Sequence, residues 1–240
     1  MNEKRKRLIV NADDFGASRG INRGVAEAHR RGIVTSTSLM VTMPRAADAA
    51  AMAADMPELG IGLHAVLTRE DARPLLPFDD PDRCRAELLR QLDQFERLMK
   101  RPPTHLDAHH NIHRDPRLTP VFLAVASELG LPLREHSAAR YFSSFYGQWD
   151  DGETHLEQIG VEMLCRMLGT ELCGEVTELG CHPGHVDPEF PSSYSIEREA
   201  ELRTLCDPRV REAVRALEIS LITHADAMPL PRSCPEGPAS

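Results

Sequence analysis

The sequence predicts an α/β protein built as an irregular seven-stranded (β/α) barrel. Three observations carry that expectation. Short apolar runs alternate with helix-period patterns, which implies parallel strands joined by right-handed crossovers. The 240 residues, 41% hydrophobic and 27% charged, are enough for one large core. Reactive side chains fall at the C-terminal ends of several strands. A barrel gathers such ends at one mouth, whereas an open doubly wound sheet would spread them along an edge.

Taken in order, Arg7–Ala12 is a continuous apolar run and reads as a buried strand. Ser18 caps a helix to about Arg31, stopped by Gly32. Val34–Val41 is rich in β-branched residues and reads as the second strand. Alanine-rich Ala46–Asp55 is a helix ending before Pro57, and Leu59–Val66 is the third strand. Pro74–Pro81 is a proline-punctuated loop. Leu88, Leu92, Phe95 and Met99 recur at helical spacing within Arg83–Lys100. Thr104–Ala108 is the fourth strand, and Pro116 suits the first turn of a helix through Glu128, ended by Gly130. Leu131–Arg134 reads as the fifth strand. A helix from about Leu156 to Leu168 precedes the sixth, Val176–Cys181. Two helices flank Asp207–Pro208, and Ile219–Thr223 is the last strand. Residues 1–228 read as one barrel domain, and 229–240 as a loose proline- and serine-rich tail.

The formal net charge of −9 argues against nucleic acid as the main partner, since phosphate binding favours a basic face. No stretch reaches the ~20 apolar residues of a membrane helix. Basic Lys4–Arg7 precede only Leu8–Val10 as an apolar run, too short for a signal peptide. The six cysteines (Cys84, Cys165, Cys173, Cys181, Cys206, Cys234) form no C-x-x-C pair and read as reduced thiols. Together these features predict a cytoplasmic location.

His105-Leu-Asp-Ala-His-His-Asn-Ile-His113 holds four of the eleven histidines and an aspartate. Imidazole and carboxylate together suit a divalent transition metal. Strand alternation lets His105, Asp107 and His109 share a face; a polar loop of surface histidines is the alternative, but this density beside a strand end favours the metal. Asp13 and Asp14 follow the first strand, where one carboxylate can ligate a metal and the other accept a proton. His64 ends the third strand. Asp14, His64 and His109 make a two-histidine, one-carboxylate set of the kind used by Zn, Co, Mn and Fe(II) sites. His182 lies in Cys181-His-Pro-Gly-His185, where the following proline keeps it out of helical geometry. Cys181 reads as core and His185 equally as surface.

The stretches LIVNADDFGASRGINRGVAEAHRRGIVTSTSLMV, GIGLHAVLT, PTHLDAHHNIHRDPRLTPVF and ELGCHPGHVD resemble the YdjC/ChbG family of carbohydrate deacetylases, which includes chitooligosaccharide deacetylases and a hopanoid-associated branch. The resemblance runs from about Leu8 to about Thr223. It implies a distorted (β/α) barrel, one divalent cation, Mg²⁺ by family habit, held by His64 and His109, and a role for the Asp13–Asp14 pair and the Cys181–Pro183 motif. The two-histidine set itself favours Zn²⁺ or another transition metal over Mg²⁺. The implied reaction removes an N-acetyl group from an amino sugar or N-acetylated oligosaccharide. By analogy with metal-dependent sugar deacetylases, Asp13 is the base, Asp14 the ligand and His182 the acid, an assignment of the two aspartates that is reversible. Arg134 either holds Asp13 or makes an ordinary salt bridge. Asn111 interrupts the family's histidine run, and the Leu67–Pro81 loop is compact, which leaves the particular sugar open.

Tyr141, Phe142, Phe145, Tyr146 and Trp149 hold five of the eleven aromatic residues. They suit either a sugar-stacking platform or a lid or homodimer contact. Two other functions compete: a metal-dependent hydrolase of another bond, such as a phosphoester, and a non-catalytic sugar-binding or regulatory barrel. The first would want more Lys or Arg at the mouth. The second has no need of both aspartates and His182.

Overall fold

The predicted alternation of strands and helices is realised as a curled parallel sheet. The computed structural model describes residues 6–149, 152–172, 175–188, 190 and 192–227. Lys4, Arg5, Cys173, Cys234 and the tail from 229 lie outside them. In chain order the elements are β1 (Arg7–Phe15), α1 (Arg19–Arg31), β2 (Ser36–Leu39), α2 (Ala46–Ala53), β3 (Gly60–Ala65), α3 (Pro81–Met99) and β4 (Leu106–Ala108). A 3₁₀ segment at His109–Arg114 leads to α4 (Thr119–Leu129), β5 (Arg140–Phe142), β6 (Gln148–Trp149) and β7 (Glu153–Thr154). A second 3₁₀ turn, Leu156–Ile159, precedes α5 (Val161–Thr170), β8 (Val176–Cys181), α6 (Ile196–Leu205), α7 (Pro208–Ala216), β9 (Ser220–Leu221) and α8 (His224–Ala227).

The sheet order is β4-β3-β2-β1-β8-β5, with every pairing parallel. β9 pairs with the start of β1, at Arg7 and Leu8, on the side that β2 takes from Asn11 onward. Seven strands therefore form a half-barrel whose outer face is covered by helices. β6 and β7 make a separate antiparallel hairpin.

Local chemistry explains the boundaries. The Ser18 hydroxyl accepts the Ile21 N–H at 3.1 Å and Gly32 closes α1, as its sequence predicts. Asp80 caps α3 through the Arg83 N–H at 3.0 Å, with Pro81 in the first turn. The buried stripe of α3 is Cys84, Leu88, Gln91, Leu92 and Phe95.

Three expectations are corrected. Leu131–Arg134 is not a strand: Leu133 makes one bridge to Leu106. Pro132 has no N–H to extend the ladder, and Glu135, at φ 65°, turns the chain away. The fifth strand in sequence is instead Arg140–Phe142, which pairs with β8 at the opposite edge. Pro116 lies in a turn that Asp115 closes through the Leu118 and Thr119 N–H groups, so α4 starts at Thr119 with Pro120 in its first turn. The 156–168 helix is broken at Gly160, whose backbone is extended. The described cysteines Cys84, Cys165, Cys181 and Cys206 are all free thiols. Among the described residues no helix is long and apolar enough to cross a membrane.

Candidate active site

Strict alternation along β1 would send Asp13 and Asp14 to opposite faces. Both are instead buried together at the mouth. The cause is an irregularity in the β1–β2 register: Ala12 pairs with Thr37 and Phe15 with Leu39, so β1 carries one extra residue. Asp14 absorbs it at φ 68°. Such a bulge re-aims side chains next to a site. The aspartates thus lie within the end of β1, not after it.

His64, on β3, directs Nδ1 to Asp107 Oδ1 at 2.7 Å, which leaves Nε2 3.3 Å from Asp14 Oδ1. Asp107 is its register partner on β4. His109 begins the 3₁₀ segment after β4, and its Nδ1 also lies 3.3 Å from Asp14 Oδ1. The three predicted ligands therefore converge, all buried, as a group able to hold a metal ion. Among the described residues Asp14 Oδ1 has no hydrogen-bond partner despite its burial. One carboxylate oxygen and two imidazoles, one braced by a second carboxylate, fit a divalent cation. Asp13, His64 and Asp107 form a second such group, but Arg134 already engages both of its aspartates.

Arg134 is fully enclosed. Nη1 and Nη2 donate to the two Asp13 oxygens at 2.8 Å each, Nη2 also lies 2.8 Å from Asp107 Oδ2, and Nε donates to Glu178 at 2.8 Å. The Tyr141 ring lies 4.5 Å from its guanidinium. Burial pushes the Asp13 carboxyl up, but the charge and hydrogen bonds of Arg134 outweigh it and hold it well below the usual range. Burial likewise opposes ionised Asp14, and Arg198 with the two histidines overcomes it. Burial also works against charged His64, yet Asp107 and then Asp14 and Asp13 raise it to about 10.

His182 follows β8, with Nε2 3.9 Å from Asp13 Oδ2. Burial pushes it down to about 4, against the pull of Asp13 and Asp14. Glu201 on α6 accepts the His182 backbone N–H and the Tyr194 hydroxyl. Burial nevertheless pushes Glu201 up to about 8.

Asp13, Asp14, His64, His109 and His182 line a cavity of about 840 Å³, together with Glu70, His110, Asn111, Tyr141, Phe145, Tyr146, Tyr194 and Arg198. Of the aromatic cluster, Phe142 and Phe145 are core, Tyr141 is held by Arg134, and Trp149 stacks on His155 at 3.7 Å. Tyr146 is the exposed ring at the cavity, stacked on Tyr194 at 4.6 Å. His105 does not reach the site: it stacks on His224 beneath, in space left by Gly62, where a Cβ would meet the ring at 2.5 Å. His113 faces Glu135, His185 faces Glu27, and Cys181 is buried core.

Sequence reasoning missed Arg198 and Glu201, two charged groups on the buried face of α6, and Glu70, whose Oε1 is 3.6 Å from His109. It placed Asp107 beside the histidines without its bracing role. No local pattern marks Arg198; Asp107 was within reach, as the strand alternation already put it on the inward face.

Fold and site define a class, a parallel α/β half-barrel with a two-histidine, one-carboxylate group at the carboxyl ends of its strands. The chain belongs to the YdjC-like protein family, whose model matches residues 7–216. It is 37% identical to a carbohydrate deacetylase of Geobacillus stearothermophilus, over 91% of this chain and 96% of that relative. A chitooligosaccharide deacetylase of Serratia marcescens is 36% identical over 87% and 94%. A crystal structure from Enterococcus faecalis, described as a candidate cellobiose-phosphate cleavage protein, superposes with a TM-score of 0.81 at 29% identity, covering 93% of this chain and 99% of that one.

Proposed function

We propose that the protein is a cation-dependent carbohydrate N-deacetylase that releases acetate from an N-acetylated amino sugar or oligosaccharide. The observation that carries this reading is the convergence of Asp14, His64 and His109 beside Asp13 and His182 in one cavity. The names of the curated relatives support the same chemistry. Asp14, His64 and His109 would hold the cation, and their two imidazoles favour Zn²⁺ or another transition metal over Mg²⁺. A bound divalent cation supplies Lewis-acid polarisation of the amide carbonyl and a lowered water pKa.

Asp13 takes the proton of the attacking water. Arg134 fixes the carboxylate in place, and Oδ2, which accepts one hydrogen bond among the described residues, keeps capacity for a further donor. The C–O bond forms and the C–N bond breaks, and the proton passes to the departing nitrogen. His182 is neutral at pH 7, so any proton it takes is delivered readily to that amine. Tyr146 offers its exposed ring to an apolar sugar face.

Acetate release from N-acetylated glucosamine oligosaccharides by metal-reconstituted protein, with and without chelator, tests the proposal. Release that stops with chelator and returns with cation is expected. No release from any such substrate by fully metallated protein would sink it.

A further inference from the structure

Arg198 lies on α6, is 6% exposed and serves no role in the proton transfers above. Its Nη2 donates to Asp14 Oδ2 at 2.7 Å and its Nε to the Tyr194 carbonyl at 3.0 Å, while Nη1 has no hydrogen-bond partner among the described residues. Asp14 therefore has one oxygen committed to a guanidinium and the other, Oδ1, facing the two histidines. The outer partners of the cluster act in opposite senses. Asp107 on His64 is a carboxylate behind an imidazole, the arrangement that makes a ligand more basic. Arg198 on Asp14 is a cation behind a carboxylate, which draws electron density away from Oδ1 and adds a positive charge next to the group that would hold another.

We propose that Arg198 is a positioning residue that limits Asp14 to one donor oxygen and weakens the site's grip on its divalent cation, leaving the ion a stronger Lewis acid. This rests on the cation site proposed above. A guanidinium that only braced the fold would not set the direction of a change in cation affinity. Charge repulsion does: like charges a few ångströms apart in a partly desolvated site interact strongly.

The test measures dissociation constants for Zn²⁺ and for Mg²⁺, separately, by calorimetry on chelator-stripped protein, alongside kcat and KM. Arg198→Gln and Arg198→Met remove the charge, and Arg198→Lys keeps it. Folding of each is checked by circular dichroism, and Arg198→Gln retains a donor should Arg198→Met fail to fold. The neutral variants are expected to bind cation about tenfold or more tightly, with kcat reduced and KM little changed. Arg198→Lys is expected to bind as the unaltered protein does. Asp107→Asn is expected to move the other way, about 10- to 100-fold weaker. Folded neutral variants that bind cation equally or less tightly overturn the role of Arg198. Unaltered protein that binds neither ion overturns the cation site itself, an outcome distinct from the first.

Discussion

Asp13 and Asp14 are neighbours in sequence, yet each is held by its own arginine, Arg134 or Arg198. In the mechanism proposed above, that separation would divide the labour between proton acceptor and ligand. Asp13→Asn, which removes a proton acceptor at almost constant volume, is expected to lose roughly 10²–10⁴-fold in turnover and to retain cation by elemental analysis. His109→Ala is expected to lose both. His182→Ala should keep the cation and lose turnover most on substrates with poor amine leaving groups. If Asp13→Asn and His182→Ala both turned over normally, the proton transfers would belong to other groups. Glu201 allows a separate test. Its folded pKa, raised to about 8 from 4.5, means that its contribution to stability is fully present below pH 4.5 and is lost as pH rises through 8. Glu201→Gln removes that titration. The melting temperature of the unaltered protein is therefore expected to fall relative to the variant as pH rises from about 4.5 to about 8 and to level off above it. Parallel curves over that range would refute it.

At the scale of elements, the site is assembled from strand ends and the segments just beyond them, and α1 holds one of those segments in position. The loop after β8 runs from His182 against α1: a Cβ on Gly24 would meet the Gly184 Cα at 2.4 Å, and His185 N–H bonds Gly20 O at 3.1 Å. Gly24→Ala must push this loop away. The expected cost is about 1–3 kcal/mol, seen as a lower melting temperature, with turnover reduced through displaced His182. Loss of the cation is not expected, because Asp14, His64 and His109 sit on β1, β3 and the turn after β4. A variant with weakened cation binding but normal turnover would contradict that division. The helix itself is legible in the sequence from Ser18 and Gly32. Its contact with the loop is not, because nothing in a glycine-containing helix says what its backbone approaches.

Across the whole molecule, a cation bound only by the folded state stabilises it by mass action. Free ion at about 100 times its dissociation constant corresponds to roughly 2.7 kcal/mol. Chelator is expected to lower the melting temperature of the unaltered protein and to leave that of His109→Ala unmoved. Equal sensitivity of the two would place the binding elsewhere. Three chain segments far apart in sequence, around Asp14, His64 and His109, meet only once the sheet has curled. The same bound ion would therefore couple β1, β3 and β4 in a single unfolding transition.

The amino-acid sequence alone determined the strand–helix alternation, the helix cap at Ser18, and the placement of reactive residues at strand ends. These follow from local periodicity and side-chain chemistry, which short stretches of chain carry by themselves. It also singled out Asp13, Asp14, His64, His109, Arg134 and His182, which the folded chain brings into one region. Tertiary structure decided what depends on partners distant in sequence. The register irregularity that turns both aspartates inward requires β2 alongside β1. The edge position of Arg140–Phe142 requires β8, since three residues have too little periodicity to declare a strand. The pairing of Arg198 with Asp14 spans 184 residues, and charge complementarity in a buried site is set by which side chains the fold brings together, a quantity that no local window contains.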